Sequence, residues 1–309
     1  MREIAIGTRS SKLALIQAEE VLTKLREVSP QLKAGLVKIK TRGDQYNTTT
    51  LDKFTGQGVF VKEIEKALLE RRIDLAVHSL KDLPTEIPNG LMLAAVTARL
   101  DPRDVLISRA GKLAEIMPGL KIGTGSPRRG IQLLALRPDL KLCNIRGNID
   151  TRLRKVSEGE FDGVIVAAAA LIRLGWEDRI TEYLPVGHFT PAVGQGALGI
   201  EMRSEDEEMA TLLSKINHEA TWRAVIAERT FLQALGGGCR APIAALGIVS
   251  DRIIKLGGMV AGSHGDQILR AIEVGDAQKP EQIGQHLAQK MARLGALSLI
   301  AATGDPSQG

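Results

Sequence analysis

The feature that most restricts this chain is a pattern that occurs twice. Near the N-terminus, EIAIGTRSSKLALIQAEEVLTKL reads as a short apolar strand, a turn on Gly7, and a serine-capped helix with apolar residues at helical spacing. At Leu120 the segment LKIGTGSPRRGIQLLAL reads as strand, turn and helix again, with Gly123-Thr124-Gly125-Ser126 matching Gly7-Thr8-Arg9-Ser10. A second pair follows in the same order. VKEIEKALLERRIDLAVHS is a helix entering a strand through Asp74, and NIDTRLRKVSEGEFDGVIVAA does the same through Asp162. Two ordered pairs predict two α/β domains of related topology, each with helix-connected strands and therefore a largely parallel sheet. In such sheets ligands bind beyond the carboxyl ends of the strands, where these Gly-Thr turns fall.

From about Glu219 the pattern changes. The helix TWRAVIAERTFLQAL leads into the loop GGGCRAPI, and the runs IAALGIVS, IIKLGGMVAG and QILRAIEVG then read as antiparallel strands before a final helix in PEQIGQHLAQKMARLG. This predicts a smaller α+β domain. Pro and Gly interrupt the periodic segments at ARLDPRD and FTPAVGQGA, the expected crossings between domains. The expected division is residues 1–98 with about 197–216, then 102–190, then 219–309, so that the chain returns to its first domain before starting the third.

Composition narrows the partners. The 309 residues are 44% hydrophobic, enough to fill several cores, and 41 Lys plus Arg against 36 Asp plus Glu leave a charge of +5. Only 3% are aromatic, which weakens a reading based on stacking platforms for nucleic acid and leaves small anionic substrates open. The two cysteines, Cys143 and Cys239, support neither a disulfide framework nor a thiolate metal site, and a reducing compartment is expected. Cys143 reads as an ordinary strand cysteine. Charges interrupt the first apolar turns and the longest apolar run, VIVAAAALI, is too short to span a bilayer, so a cytoplasmic protein without membrane contact is expected.

The arginines stand out by position. Arg9 lies in the first Gly-Thr turn, Arg128 and Arg129 follow its echo, Arg146 and Arg152 follow the next strand, and Arg173 follows the one after. All are predicted at strand ends or in first helical turns, where free N–H groups and the helix dipole also favour anions. A guanidinium holds a carboxylate through two hydrogen bonds in fixed geometry. The alternative for each alone is a solvated surface ion pair. As a set at one edge of two related domains, they suit a ligand with many carboxylates.

Three further positions carry open readings. Asp82, in LKDLPTEIP beyond a predicted strand, serves either a turn or acid/base chemistry with Lys81 beside it, and local sequence favours the turn. His78 continues an apolar strand and reads as a core histidine. Asp44 opens the polar stretch QYNTTTLDKFTGQG, which reads as a mobile surface loop or lid. The three glycines before Cys239 imply a tight turn or close approach by something large, leaving that cysteine as apolar filler, nucleophile or attachment point.

Taken together, IGTRSSKLAL, TRGD, GVFVKEIEKALL, DLAVHSLKDLP, DPRDVLIS, IGTGSPRR, IRGNIDTRL, PAVGQGALGIE and GGGCRAPI, in this order, make the chain resemble the porphobilinogen deaminase family of tetrapyrrole biosynthesis. The resemblance implies an α/β fold with two domains like periplasmic binding proteins around a cleft, plus an α+β domain with an antiparallel sheet. It implies a monomeric transferase that condenses four porphobilinogen molecules head to tail, releases four ammonia and yields hydroxymethylbilane by hydrolysis. A dipyrromethane cofactor would be joined by a thioether to Cys239, and the catalytic aspartate would be Asp82. Cofactor and substrate carboxylates would be bound by Arg9, Arg128, Arg129, Arg146, Arg152 and Arg173, with Ser11, Lys81, Thr124, Ser126 and Gln195 around them. Lys53 and Phe60 would belong to the mobile loop. Gly125, Gln57 and Gly236 stand where the family commonly has Ser, Lys and an acidic residue.

Overall fold

In the computed structural model, which describes residues 3–41, 61–236, 242–262 and 267–302, the repeated pattern becomes two five-stranded sheets wired alike. The chain first forms β1 (Ile4–Arg9), α1 (Lys12–Val28), β2 (Ala34–Ile39), α2 (Lys62–Leu69), β3 (Leu75–Ser79) and β4 (Leu91–Val96). Next come β5 (Asp104–Ser108), β6 (Lys121–Gly123), α3 (Pro127–Leu136), β7 (Lys141–Cys143), α4 (Ile149–Ser157), β8 (Gly163–Ala167), α5 (Ala168–Leu174) and β9 (Glu182–Tyr183). The remainder is β10 (Leu198–Arg203), α6 (Glu207–Ser214), α7 (Glu219–Ala234), β11 (Ile243–Ser250), β12 (Ile253–Ala261), β13 (Ile268–Asp276), α8 (Pro280–Arg293) and α9 (Ala296–Ala302).

One unit comprises Met1–Leu100 and Gly196–Trp222, and its sheet has the order β2-β1-β3-β10-β4. The other comprises Asp101–Gln195 and Arg223–Gly309, with the order β7-β6-β8-β5-β9. In each sheet the first three strands are parallel, and the fourth runs antiparallel to both neighbours. The largely parallel sheets predicted from the repeat therefore each contain one reversed strand. Parallel neighbours need a crossover, usually a helix, whereas β5 and β10 enter directly from the segments that pass between units.

The echo persists to single atoms. The backbone N–H of Asp74 donates to the Ala5 carbonyl (2.8 Å), and its carboxylate accepts from the Ala5 N–H (2.9 Å). Asp162 does the same with Lys121, at 2.9 Å for both bonds. Each aspartate also meets an arginine at the end of the reversed strand, Arg203 for Asp74 and Arg109 for Asp162, both at 3.0 Å. The carboxylate thus extends the ladder one residue past the start of β3 or β8, as required where a strand begins beside an amide that needs an acceptor.

Amphipathic helices close the sheets. Ala18, Val21, Leu22 and Leu25 recur at helical spacing on α1 and pack with Ile4, Ile6, Leu75, Leu198 and Ile200, joined by Met209 and Leu213 of α6. Ile64, Ala67 and Leu68 of α2 share a core with Ile39, Ile73 and Ala76. In the other unit, Phe231, Leu287 and Met291 pack on Ile254, Leu256 and Val260 of the antiparallel sheet β11-β12-β13. Ile131 of α3 packs with Ala244, Met259 and Ala261, so the helix carrying Arg128 and Arg129 rests against that sheet. Glu228 of α7 is fully buried and accepts from the N–H groups of Gly194 (2.7 Å) and Gly247 (2.8 Å), tying the returning segment to β11. Among the described residues no helix is long and apolar enough to cross a membrane.

The Lys121 amide and, more weakly, Arg109 hold the Asp162 carboxyl below its ordinary value of 3.8 against the opposing effect of burial. A depressed folded value means that this contribution to stability is complete above the unfolded pKa and is lost as pH falls through the folded one. Asp162→Asn is therefore expected to lower the urea midpoint at neutral pH, and to reduce the loss of stability on acidification to about pH 3. Denaturation curves of both proteins at the two pH values check this.

Candidate active site

The carboxyl edge of β1 is fixed by hydroxyl groups. Thr8 is fully buried and donates to the Ala14 carbonyl (3.0 Å), while the Ser11 hydroxyl accepts from the Ala14 N–H (3.3 Å) and caps α1. Arg9, the last residue of β1, is half-buried beside this turn.

Beyond β3 the chain makes one 3₁₀ turn, Leu80–Asp82. Leu80 and Leu83 are buried, and the Leu80 N–H donates to the Ala197 carbonyl (3.1 Å). Two anchored leucines leave the intervening Lys81 and Asp82 to point away from the core, with Lys81 half-buried and Asp82 exposed. Asp82 stands exposed because the leucines take the buried positions of the turn. Ser79 just before it is held by Gln17 of α1, through bonds of 2.8 and 3.1 Å. Gly199 of β10 makes room for the turn: a Cβ there would lie 2.7 Å from Leu80 Cδ1 and 3.1 Å from Leu93 Cδ1.

His78 is a core residue, as its strand pattern predicts. It is 6% exposed, and its Nε2 lies 3.1 Å from Oε2 of the fully buried Glu201. Burial, and then the nearby Glu201 carboxylate, raise the pKa of Glu65 on α2.

The matching edge of the other unit is built around an aspartate that the sequence reading passed over. Asp104, the first residue of β5, is fully buried. Its Oδ2 accepts from Arg128 Nη1 (2.7 Å), and its Oδ1 accepts from Arg129 Nη2 (2.6 Å), Arg129 Nε (2.9 Å) and Gln195 Nε2 (3.0 Å). Arg128 Nη1 also donates to the Thr190 carbonyl (2.7 Å), and Arg129 Nη1 to the Ile165 carbonyl (3.3 Å). Burial alone would raise the Asp104 pKa, but attraction and hydrogen bonds from the two guanidiniums hold it well below the carboxylate range. Burial lowers the Arg128 pKa despite the partner carboxylate.

Arg128 and Arg129 are each only 6% exposed, so this pair is neither a solvated surface pair nor an open fork. A guanidinium has five N–H donors, and these bonds use two on Arg128 and three on Arg129. Donors therefore remain on both. One carboxylate between two cations also leaves a surplus positive charge, which fits a further carboxylate. The sequence signal for Asp104 was a charged residue opening the otherwise apolar strand DVLIS.

Thr124 and Ser126 shape the turn that delivers these arginines. The Thr124 N–H donates to the Cys143 carbonyl (3.0 Å), its hydroxyl accepts from the Ser126 N–H (3.2 Å), and Ser126 caps α3 with Pro127 behind it. A Cβ at Gly125 would sit 3.0 Å from the Ile145 carbonyl oxygen and 3.3 Å from Asn144 Oδ1, a tight fit for a larger residue. Arg146 is exposed between β7 and α4, and Arg152 donates through Nε to the Gly147 carbonyl (2.8 Å). Arg173 departs from expectation, since β8 runs straight into α5 and places it in the last turn of that helix rather than at a strand end or first turn. Asp44, Lys53, Gln57, Phe60 and Cys239 lie outside the described residues.

Residues 4–211 match the family model described as porphobilinogen deaminase, dipyromethane cofactor binding domain, and residues 222–293 match porphobilinogen deaminase, C-terminal domain. The chain belongs to the porphobilinogen deaminase family. It is 49% identical over 301 residues to the porphobilinogen deaminase of Alkaliphilus metalliredigens, covering 97% of this chain and 95% of the relative. With that of Bacillus subtilis it shares 47% identity over 303 residues, covering 97% and 96%. Among solved structures it is similar to the Bacillus subtilis probable amino-acid ABC transporter extracellular-binding protein ytmK, with TM-score 0.42, 10% identity and coverage of 75% and 97%, a likeness too distant to bear on function.

The turn that carries Lys81 and Asp82 in this porphobilinogen deaminase family member depends on the space at Gly199. Gly199→Val is expected to cost about 1–3 kcal/mol through overpacking against Leu80 and Leu93. Urea denaturation measures it, and an unchanged midpoint would show that the turn is not anchored there.

Proposed function

We propose that this chain condenses four porphobilinogen molecules head to tail, with loss of four ammonia, and releases hydroxymethylbilane by hydrolysis. The observation that carries this reading is the Lys81–Asp82 turn, anchored by the buried Leu80 and Leu83 with Asp82 exposed at the carboxyl end of β3, in a chain of the porphobilinogen deaminase family.

Each porphobilinogen brings an acetate and a propionate, so a growing chain accumulates carboxylates and requires cations to receive them. Arg9, Arg128, Arg129, Arg146, Arg152 and Arg173 take that part, with Ser11, Thr124, Ser126 and Gln195 around them. Lys81 places a cation beside Asp82 on the same turn. Asp82 gives a proton to the departing amine or holds the pyrrole N–H groups, then stabilises the cation left when ammonia departs. It later helps to remove the ring proton after coupling.

The surplus positive charge and remaining donors of the Asp104–Arg128–Arg129 cluster fit a carboxylate of the incoming porphobilinogen, and the arginine set as a whole suits a dipyrromethane, which bears carboxylates too. Once bound, that cofactor supplies the pyrrole carbon to which the first substrate ring is joined. In our reading Cys239 holds it by a thioether, and the glycines before that residue allow its close approach. In the same reading Lys53 and Phe60 act in the loop between β2 and α2. The enzyme works as a monomer in the cytoplasm.

Intact mass spectrometry tests the attachment. The purified chain is expected to exceed its sequence mass by a two-pyrrole adduct that Cys239→Ser lacks, and an unmodified thiol in fully active enzyme would overturn the assignment. Asp82→Ala is expected to fold normally and to lose about 10²–10⁴-fold in turnover. Near-normal turnover of porphobilinogen would remove Asp82 from its catalytic role.

A further inference from the structure

Asp104 is the charged residue least explained by fold alone. It opens β5, whose next residues Val105, Leu106 and Ile107 are all buried, and it has no exposed surface itself. Burying a carboxylate with arginines stabilises a protein no better than apolar packing in many cases. What the aspartate accomplishes here is geometric. Arg128 and Arg129 are adjacent in sequence and nearly buried, so without an anion between them their charges would drive them apart. With Asp104 in place, Arg128 is fixed at two acceptors, Asp104 and the Thr190 carbonyl, and Arg129 at Asp104 and the Ile165 carbonyl. Gln195 is fixed in the same way, by Asp104 Oδ1 (3.0 Å) and the Pro102 carbonyl (2.7 Å).

We propose that Asp104 is a positioning residue: it holds the Arg128 and Arg129 guanidiniums in one orientation, so that their remaining N–H donors and the cluster's surplus charge receive a single ligand carboxylate. The inference rests on the proposed carboxylate-binding role of this arginine pair. Guanidiniums fixed in advance lose little rotamer freedom when the carboxylate arrives, so the pair contributes to affinity rather than to the chemical step.

The test removes the internal carboxylate and returns it from solution. Asp104→Ala leaves a space of carboxylate size between two arginines, which formate can enter. Its KM for porphobilinogen is expected to rise about ten-fold or more, the loss associated with hydrogen bonds to a charged group, while kcat changes less. Formate is expected to raise the melting temperature of Asp104→Ala and to lower its KM, at concentrations where equal chloride does neither and the wild type does not respond. A normal KM in folded Asp104→Ala, or restoration of melting without any change in KM, would reduce Asp104 to a structural ion pair and overturn the proposal. So would a folded variant that responds to formate in neither measurement. If Asp104→Ala does not fold, Asp104→Asn preserves the shape, and a raised KM is expected in it. Failure of both variants to fold even in formate would also overturn the positioning role. Wild-type turnover in the same assay keeps the two readings separate, because its absence would reject the proposed function whereas the formate-dependent melting concerns Asp104 alone.

Discussion

Two guanidiniums cannot share a nearly apolar interior without an anion between them, and in this chain Asp104 is that anion. Much of its unit is arranged by the same requirement. The Ser126 cap starts α3 so that Arg128 and Arg129 both turn inward, and Gln132 one turn later accepts from the Thr190 N–H (2.7 Å) and donates to the Thr190 carbonyl (3.0 Å). The segment around Thr190 is thereby held against the helix that carries the arginines. Arg270 of β13 reaches the His188 carbonyl (2.9 Å), so the antiparallel sheet is tied to the same segment.

The two sheets share their wiring but not their chemistry. Asp74 and Asp162 close equivalent strand starts with equivalent bonds. At the other ends the sequences part. β3 leads into Leu80-Lys81-Asp82, where buried leucines bracket two polar residues, whereas β8 leads into Ala168-Ala169-Ala170-Leu171 and continues as an apolar helix. The first unit thus presents a carboxylate at its strand edge, and the second presents arginines from the turn after β6. The two sheets thus repeat one wiring and end in unlike edges, one with an exposed carboxylate and the other with nearly buried arginines.

How much was legible varied with how local the cause was. Strands, caps and helices of the repeat follow from neighbours three or four residues apart, and the structure has them where the pattern places them. His78 was readable as core because its neighbours along the strand are apolar. Arg173 was not placed correctly, because nothing in AAALIRL marks where strand gives way to helix. The exposure of Asp82 could not be read locally, because it depends on Leu80 docking below it against Gly199, a residue far along the chain. The role of Asp104 was hidden by its motif, DPRD, which looks like a turn at a domain crossing.

The sequence by itself determined the repeated strand-turn-helix units, the change to an antiparallel sheet near the C-terminus, the family, and the residue types available for binding carboxylates. These depend on periodicity, capping and turn chemistry, which act over a few residues. Only the tertiary structure decided that one strand in each sheet is reversed, that Asp82 stands exposed, and that Arg128 and Arg129 are already held by a carboxylate. Asp104 meets Arg128 across 24 residues and Gln195 across 91. Burial and charge pairing are properties of what folding brings together, and at such separations no local pattern encodes them.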